Sequence, residues 1–161
     1  MIDYVDRHIL AILQEDARTA NSDIAKQVGM APSATHERIK KLRERGVISG
    51  FETRVNPSAV GLGIVAFIFV RTDEMISGNN VGIELKRIPE ILEVHNIAGE
   101  DCYLIKVRVK DTFALSEFLR DPIGRIPSIT STRTTIALET YKETIALPLG
   151  EEKPEVANVR R

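Results

Sequence analysis

NSDIAKQVGMAPSATHERIKKLRERG, Asn21 to Gly46, is the stretch that decides how the first third of the chain folds. Ile24, Ala25 and Val28 fall on one side of a first helix, and Thr35, Ile39 and Leu42 at i, i+4 and i+7 on one side of a second. Both apolar lines therefore point into a shared core. Gly29 between them suits the positive φ that ends a helix. Pro32 suits the first turn of the next helix, where its missing N–H has no partner to lose. This is helix-turn-helix punctuation, and Asn21 reads as the cap of the first of the two helices.

Upstream, Asp3 is placed to cap another helix, with Asp6 in its first turn and Val5, Ile9, Ile12 and Leu13 at helical spacing. Downstream, Phe51, Thr53 and Val55 alternate with Gly50, Glu52 and Arg54, the period of a half-exposed strand, which predicts a wing after the helices. Asn56-Pro57-Ser58 then marks a turn.

The remainder alternates strand and helix patterns. Ile64 to Val70 reads as a buried strand, Val81 to Ile88 as an amphipathic helix stopped by Pro89, Ile91 to Ala98 as a second strand and Cys102 to Val109 as a third. Thr112 to Leu119 reads as a helix ahead of a Pro122, Gly124, Pro127 loop, and Thr130 to Leu138 as the closing strand. The order β-α-β-β-α-β is the split βαβ, ferredoxin-like arrangement, in which four antiparallel strands carry two helices on one face. Strands rich in Ile, Val and Tyr with no third layer in the chain predict that a second copy covers the other face.

The expected class is α+β, an N-terminal winged helix-turn-helix domain plus a C-terminal ferredoxin-like βαββαβ domain. The expected boundaries are 1–50 for the first domain, 51–61 for a linking strand and turn, 62–147 for the second domain and 148–161 for a polar tail.

The chain has 161 residues, 43% of them hydrophobic, enough to bury a core in one domain or two small ones. No apolar run approaches the ~20 residues that span a bilayer, and the start lacks signal-peptide character, so a cytoplasmic protein is expected. Cys102 stands alone and His8, His36 and His95 are scattered, which leaves no disulfide framework and no metal or cofactor signature. Net charge is −1, yet residues 36–54 hold six Lys/Arg against three Glu, while residues 56–161 carry 13 basic against 15 acidic. The positive charge sits on the second helix of the opening stretch. It is modest, so binding a polyanion would call for two or more copies acting together.

Several segments in order resemble one family. They are ILAILQEDART (Ile9 to Thr19), IAKQVGMAPSATHERIKKLRERGVISGF (Ile24 to Phe51), NPSAVGLG (Asn56 to Gly63), EVHNIAGEDCYLIKVRV (Glu93 to Val109) and TSTRTTIALETYKET (Thr130 to Thr144). Together they resemble the leucine-responsive/asparagine-responsive, or feast/famine, regulators. The resemblance implies a bacterial or archaeal DNA-binding transcription regulator that forms homodimers, often assembled into octamers. Its implied partners are double-stranded DNA and a small amino-acid effector, with no membrane.

On the recognition helix, the face opposite the core line carries Ser33, Ala34, Glu37, Lys40, Lys41 and Glu44, with His36 on the flank. Ser33, Ala34, His36 and Glu37 are the base-reading candidates, Lys40 and Lys41 the phosphate candidates, and Arg38 opens the basic run to Arg45. Without the resemblance, that run would be a solvated face, and Glu37 would merely suit the dipole and the lysines one turn on. Ala31 stands where family members usually carry a capping serine.

The effector candidates are the turn Ala98, Gly99, Glu100, Asp101 and Cys102, and the last strand at Thr132, Thr134, Thr135 and Ile136. The family turn reads glycine, acidic, aromatic, aspartate, aromatic; here the aromatic is Asp101 and the aspartate is Cys102. A carboxylate for a ligand's ammonium thus stands one position early, on the opposite side of a strand. Ile136 and Ala137 offer an apolar wall that suits an aliphatic ligand such as leucine or methionine. The bland alternatives are sheet packing by alternating Thr and Ile, and Cys102 as a small packing residue.

No catalytic residues are assigned, and an enzyme is not expected. The competing functions are a siroheme decarboxylase-like enzyme on the same architecture, for which Arg108, Arg125 and Arg133 are too dispersed, and a metabolite-binding module without specific DNA binding.

Overall fold

The computed structural model describes residues 2–73 and 80–150. Two compact units emerge. One runs through Arg54 and resumes at Glu143; the other is Val55–Lys142. By this division the second unit closes at Lys142, ahead of the expected boundary at 147, and residues 143–147 lie with the helices. Within the expected tail, Leu149 packs against the helical core, while residues 151–161 lie outside the described residues.

In the helical unit, α1 (Tyr4–Glu15), α2 (Asn21–Val28) and α3 (Pro32–Glu44) bury Ile9, Leu10, Ile12, Ile24, Ile39 and Leu42 against one another. The core line predicted for α3 holds: Thr35, Ile39 and Leu42 are its buried residues. Thr35 satisfies its hydroxyl by donating to the Ala31 carbonyl at 3.2 Å. Helix α1 starts with a reciprocal capping box, the Asp6 N–H donating to Asp3 Oδ1 at 2.8 Å and the Asp3 N–H to Asp6 Oδ2 at 3.2 Å. Gly29 ends α2 at φ 68°, as the turn requires.

Two local expectations shift. Asn21 is the first helical residue of α2, and the cap position is Ala20, which has no side-chain bond to give. The predicted wing is also absent. Residues 47–57 form no strand, and Phe51 to Val55 are exposed, because their alternation finds no partner strand among the described residues to complete a ladder.

The second unit opens with a short 3₁₀ turn (Ser58–Val60) and contains β1 (Ile64–Thr72), α4 (Asn80–Leu85), β2 (Ile91–Asn96), β3 (Tyr103–Val109), α5 (Thr112–Phe118) and β4 (Ile129–Ala137). Its four strands order as β2-β3-β1-β4, every pair antiparallel. Ala66, Ile68 and Val70 of β1 and Ile105 and Val107 of β3 are fully buried with Val81 and Leu85 of α4 and Leu115 and Phe118 of α5. That is the ferredoxin-like core. Helix α4 is shorter than predicted and continues through turn bonds to Ile88. The segment after α5 is a π turn (Leu119–Ile123) wide enough to hold Pro122, which has no N–H to donate. Among the described residues, no helix is long and apolar enough to cross a membrane.

Ala31 has the extended backbone of an N-cap (φ −71°, ψ 143°) and Pro32 follows it, but no side chain caps α3. Ala31→Ser supplies an oxygen for the free N–H groups of the first turn. It is expected to stabilise the helical unit by ~1 kcal/mol, read as a higher urea midpoint at unchanged m-value, without altering which duplex is preferred.

Candidate nucleic-acid interface and effector region

Burying Thr35, Ile39 and Leu42 fixes the rotation of α3 about its own axis. Ser33, Ala34, His36, Glu37, Lys40 and Lys41 are all exposed as a result, as predicted from the spacing. The Asn21 amide nitrogen lies 3.1 Å from His36 Nδ1. With Asn21 donating, a neutral His36 carries its proton on Nε2. Lys40 Nζ stands 4.0 Å from Glu44 Oε1, an exposed i,i+4 pair of little strength.

Arg38 departs from the expectation. Its Nη1 donates to Asp3 Oδ2 at 2.7 Å and to Asp6 Oδ1 at 2.8 Å, and Asp6 is buried. The guanidinium is thus committed to the α1 capping box, where it ties the recognition helix to the first helix, and it is not offered outward with the lysines. The Asp6 N–H foremost, helped by Arg38, holds the Asp3 carboxyl below the usual aspartate range against the opposing effect of burial. The two carboxylates, Asp3 first, reinforce the charge on Arg38 in return. Arg43, further along, stacks over the ring of Phe51, its Cζ 5.9 Å from the centroid.

In the sheet unit, Gly99 takes φ 144°, where a side chain is disfavoured, and Ala98, Gly99 and Glu100 are exposed in the turn between β2 and β3. Asp101 is largely covered, 18% exposed, and its carboxylate is already paired: Arg133 Nη2 of β4 lies 2.9 Å from Oδ2 and Arg71 Nη2 of β1 lies 3.9 Å from Oδ1. Arg71 also reaches Glu100 at 3.2 Å, and Arg133 Cζ stacks 4.0 Å from the centroid of Phe69. Asp101 is therefore not the open carboxylate expected for a ligand's ammonium; Glu100, whose side chain is 91% exposed, is the accessible one. Cys102 is half-buried against the core, its N–H donating to Val70 O at 2.9 Å, which is the packing role.

Register separates the β4 candidates. Thr132, Thr134 and Ile136 pair with Val70, Ile68 and Ala66, on the helix-covered side, whereas Thr135 pairs with Phe67 on the open side. A single chain does not gather all nine effector candidates onto one face.

Residues 65–147 match the Lrp/AsnC ligand binding domain and residues 2–43 the AsnC-type helix-turn-helix domain. The chain belongs to the Lrp/AsnC family of transcriptional regulators. It is 42% identical over 150 residues to the HTH-type transcriptional regulator FL11 of Pyrococcus abyssi, covering 92% of this chain and 97% of that one. It is 30% identical over 146 residues to the leucine-responsive regulatory protein of Escherichia coli, covering 88% of each. Among solved structures, E. coli AsnC superposes with a TM-score of 0.84 at 31% identity, over 91% of this chain and 98% of that one. The complex of the Neisseria meningitidis regulator NMB0573 with L-Met superposes with a TM-score of 0.87 at 28% identity, over 92% and 97%.

For this Lrp/AsnC regulator, the residues that sequence reasoning missed are partners rather than contacts: Asp3 and Asp6 for Arg38, and Arg71 and Arg133 for Asp101. No local pattern announces such pairs, because each joins residues far apart in the chain.

Arg38→Met leaves the buried Asp6 without its cation and is expected to cost about 2 kcal/mol, seen as a lower urea midpoint. The pH dependence has a definite sign. The folded-state pKa of Asp3 lies below its unfolded value of 3.8, so its contribution is fully present above pH 3.8 and lost as pH falls through the lower folded value. Removing Arg38 is expected to flatten that acid limb in melting curves recorded from neutral pH downward.

Proposed function

We propose that this regulator binds double-stranded DNA as a homodimer, through α3 of each copy, and that a small amino acid modulates the binding. The observation that carries the reading is the division of α3 into a face fastened to the core, by Thr35, Ile39, Leu42 and Arg38, and an exposed face headed by Ser33, Ala34, His36 and Glu37. Helix-turn-helix docking brings the N-terminal end of the second helix to the major-groove edges. Ser33 would meet several base edges, Ala34 a thymine methyl, Glu37 a cytosine N4, and the His36 Nε2–H an acceptor such as guanine N7 or O6. Lys40 and Lys41, further along the same face, take phosphate.

The open sheet face supports pairing with a second copy. Val65 is nearly buried already; Phe67, Phe69 and Leu104 are half-covered. Its ionic groups are largely matched within the chain, Glu93 to Lys106 at 2.9 Å and Asp101 to Arg133 at 2.9 Å. Lys106, and less strongly His95, hold the Glu93 carboxyl below its ordinary range despite partial burial. Such a face can be covered without stranding a lone charge.

An effector site split between two faces of one chain is completed by a neighbouring chain, which fits dimers assembled further into an octamer. The effector class we assign is a small aliphatic amino acid, leucine or methionine, with Glu100 rather than Asp101 meeting the ammonium. Two related regulators support it: the N. meningitidis protein complexed with L-Met, and the M. tuberculosis feast or famine protein Rv3291c complexed with L-methionine, 30% identical with a TM-score of 0.84.

Two measurements test this reading. Lys40→Ala is expected to weaken binding to all duplexes alike and to reduce the slope of log affinity against log salt by about 1; an effect confined to one sequence would contradict a phosphate contact. In a thermal-shift screen of the common amino acids, L-methionine or L-leucine is expected to raise the melting temperature with concentration, and a flat response to both would remove the assigned class.

A further inference from the structure

After β4 the chain passes exposed Leu138 and Tyr141 and then joins the helical unit at Glu143. Directional bonds fasten it there. Arg54 Nη2 donates to Glu143 O at 2.6 Å. The Leu147 N–H donates to Gln14 Oε1 at 2.7 Å, and Gln14 Nε2 returns a bond to Leu147 O at 3.1 Å. Arg7 Nη1 donates to Leu149 O at 2.6 Å. Leu149 packs on the helical core, while Leu147 stays 69% exposed beside a cleft of ≈ 560 Å³ between α1 and this segment. The seat is made more by hydrogen bonds to two side chains of α1 than by packing, so it is an element of low local stability.

We propose that residues 143–149 form a latch giving the DNA-binding unit a second attachment to the sheet domain, which sets the spacing of the two recognition helices in the dimer. Arg7 and Gln14 are then positioning residues: they touch no DNA and act through the latch. Chain lengths make the consequence quantitative. Through residues 55–63 alone, the helical unit has a contour reach of about 30 Å from β1; through residues 138–142, with the latch seated, the reach from β4 is about 17 Å. Confining two tethered binding modules raises the effective concentration of the second at its site, and this advantage disappears when only one site is offered.

The latch rests on the dimer reading above, and the test separates the two. An operator selected in vitro from random duplexes is compared with the same duplex carrying one half-site replaced, using the full-length protein and the double variant Gln14→Ala/Arg7→Ala. Wild type is expected to prefer the paired duplex. The variant is expected to lose about tenfold in affinity for the paired duplex and to stay within about twofold on the single half-site. Hydrogen exchange at the Leu147 amide, protected in wild type, is expected to approach the unprotected rate in the variant.

Equal losses on both duplexes would overturn the latch, because Arg7 or the fold of α1 would then act directly in binding. A retained preference for the paired duplex with an unprotected Leu147 amide would overturn it too. A wild type that binds both duplexes alike removes the paired reading itself, and the spacing role with it.

Discussion

The central position of β1 governs the sheet domain. Its partners on both sides are antiparallel and in register over most of its length, so residues of β3 and β4 inherit a face from the β1 residue they oppose. Ala66, Ile68 and Val70, fully buried, define the helix-covered face; Val65, Phe67, Phe69 and Arg71 define the other. From that alternation follow the placement of Thr132, Thr134 and Ile136 away from Thr135, and the convergence of Arg71 and Arg133 on Asp101. The open face carries aromatic rings among ion pairs that are already made. Covering it costs little in desolvation beyond what those pairs have settled.

The helical unit works under a different constraint. Three short helices bury few large side chains, and helices of such length owe their stability to tertiary contacts. The Asp3–Asp6–Arg38 group adds one such contact between the start of α1 and the middle of α3. It also changes the electrostatics of recognition. With Arg38 neutralised internally, the outward cations of α3 and its end are Lys40, Lys41, Arg43 and Arg45, against Glu37 and Glu44. A helix so lightly charged releases few counterions, and its non-specific affinity is correspondingly small.

What was legible in the sequence was periodic. The 3.6-residue lines of α1 to α3, the glycine between α2 and α3, and the two-residue alternation of the strands placed the elements in order, with ends shifted by up to three residues. Pairing was not legible. Arg38 has the right residue type and nearly the right angle for a phosphate contact, and only the fold brings Asp3 and Asp6 opposite it. Asp101 has the chemistry for an ammonium, and only strand register brings two arginines to it. The wing failed for the same reason: Phe51, Thr53 and Val55 alternate as a strand should, but alternation without a partner makes no ladder. The last stretch reads as polar tail although Arg7 binds the Leu149 carbonyl within it and Gln14 the Leu147 carbonyl and amide just before it, backbone groups that every residue possesses and no composition reveals.

The latch gives these separate constraints a common route. β4 carries the effector candidates Thr132, Thr134, Thr135 and Ile136 and continues through residues 138–142 into the segment held on α1, which Arg38 in turn holds to α3. The path from the start of β1 back to α3 runs instead through residues 45–63, which contain no strand and only one short 3₁₀ turn. Coupling needs an element with two arrangements that both sites bias. Hydrogen bonds from Gln14 and Arg7 to a mostly exposed strand of backbone satisfy that requirement better than a packed interface would, since each bond broken is readily replaced by water. On the latch proposed above, a shift at the end of β4 is passed at residues 143–149 to Arg54 and to Gln14 and Arg7 of α1, and Arg38 joins α1 to α3.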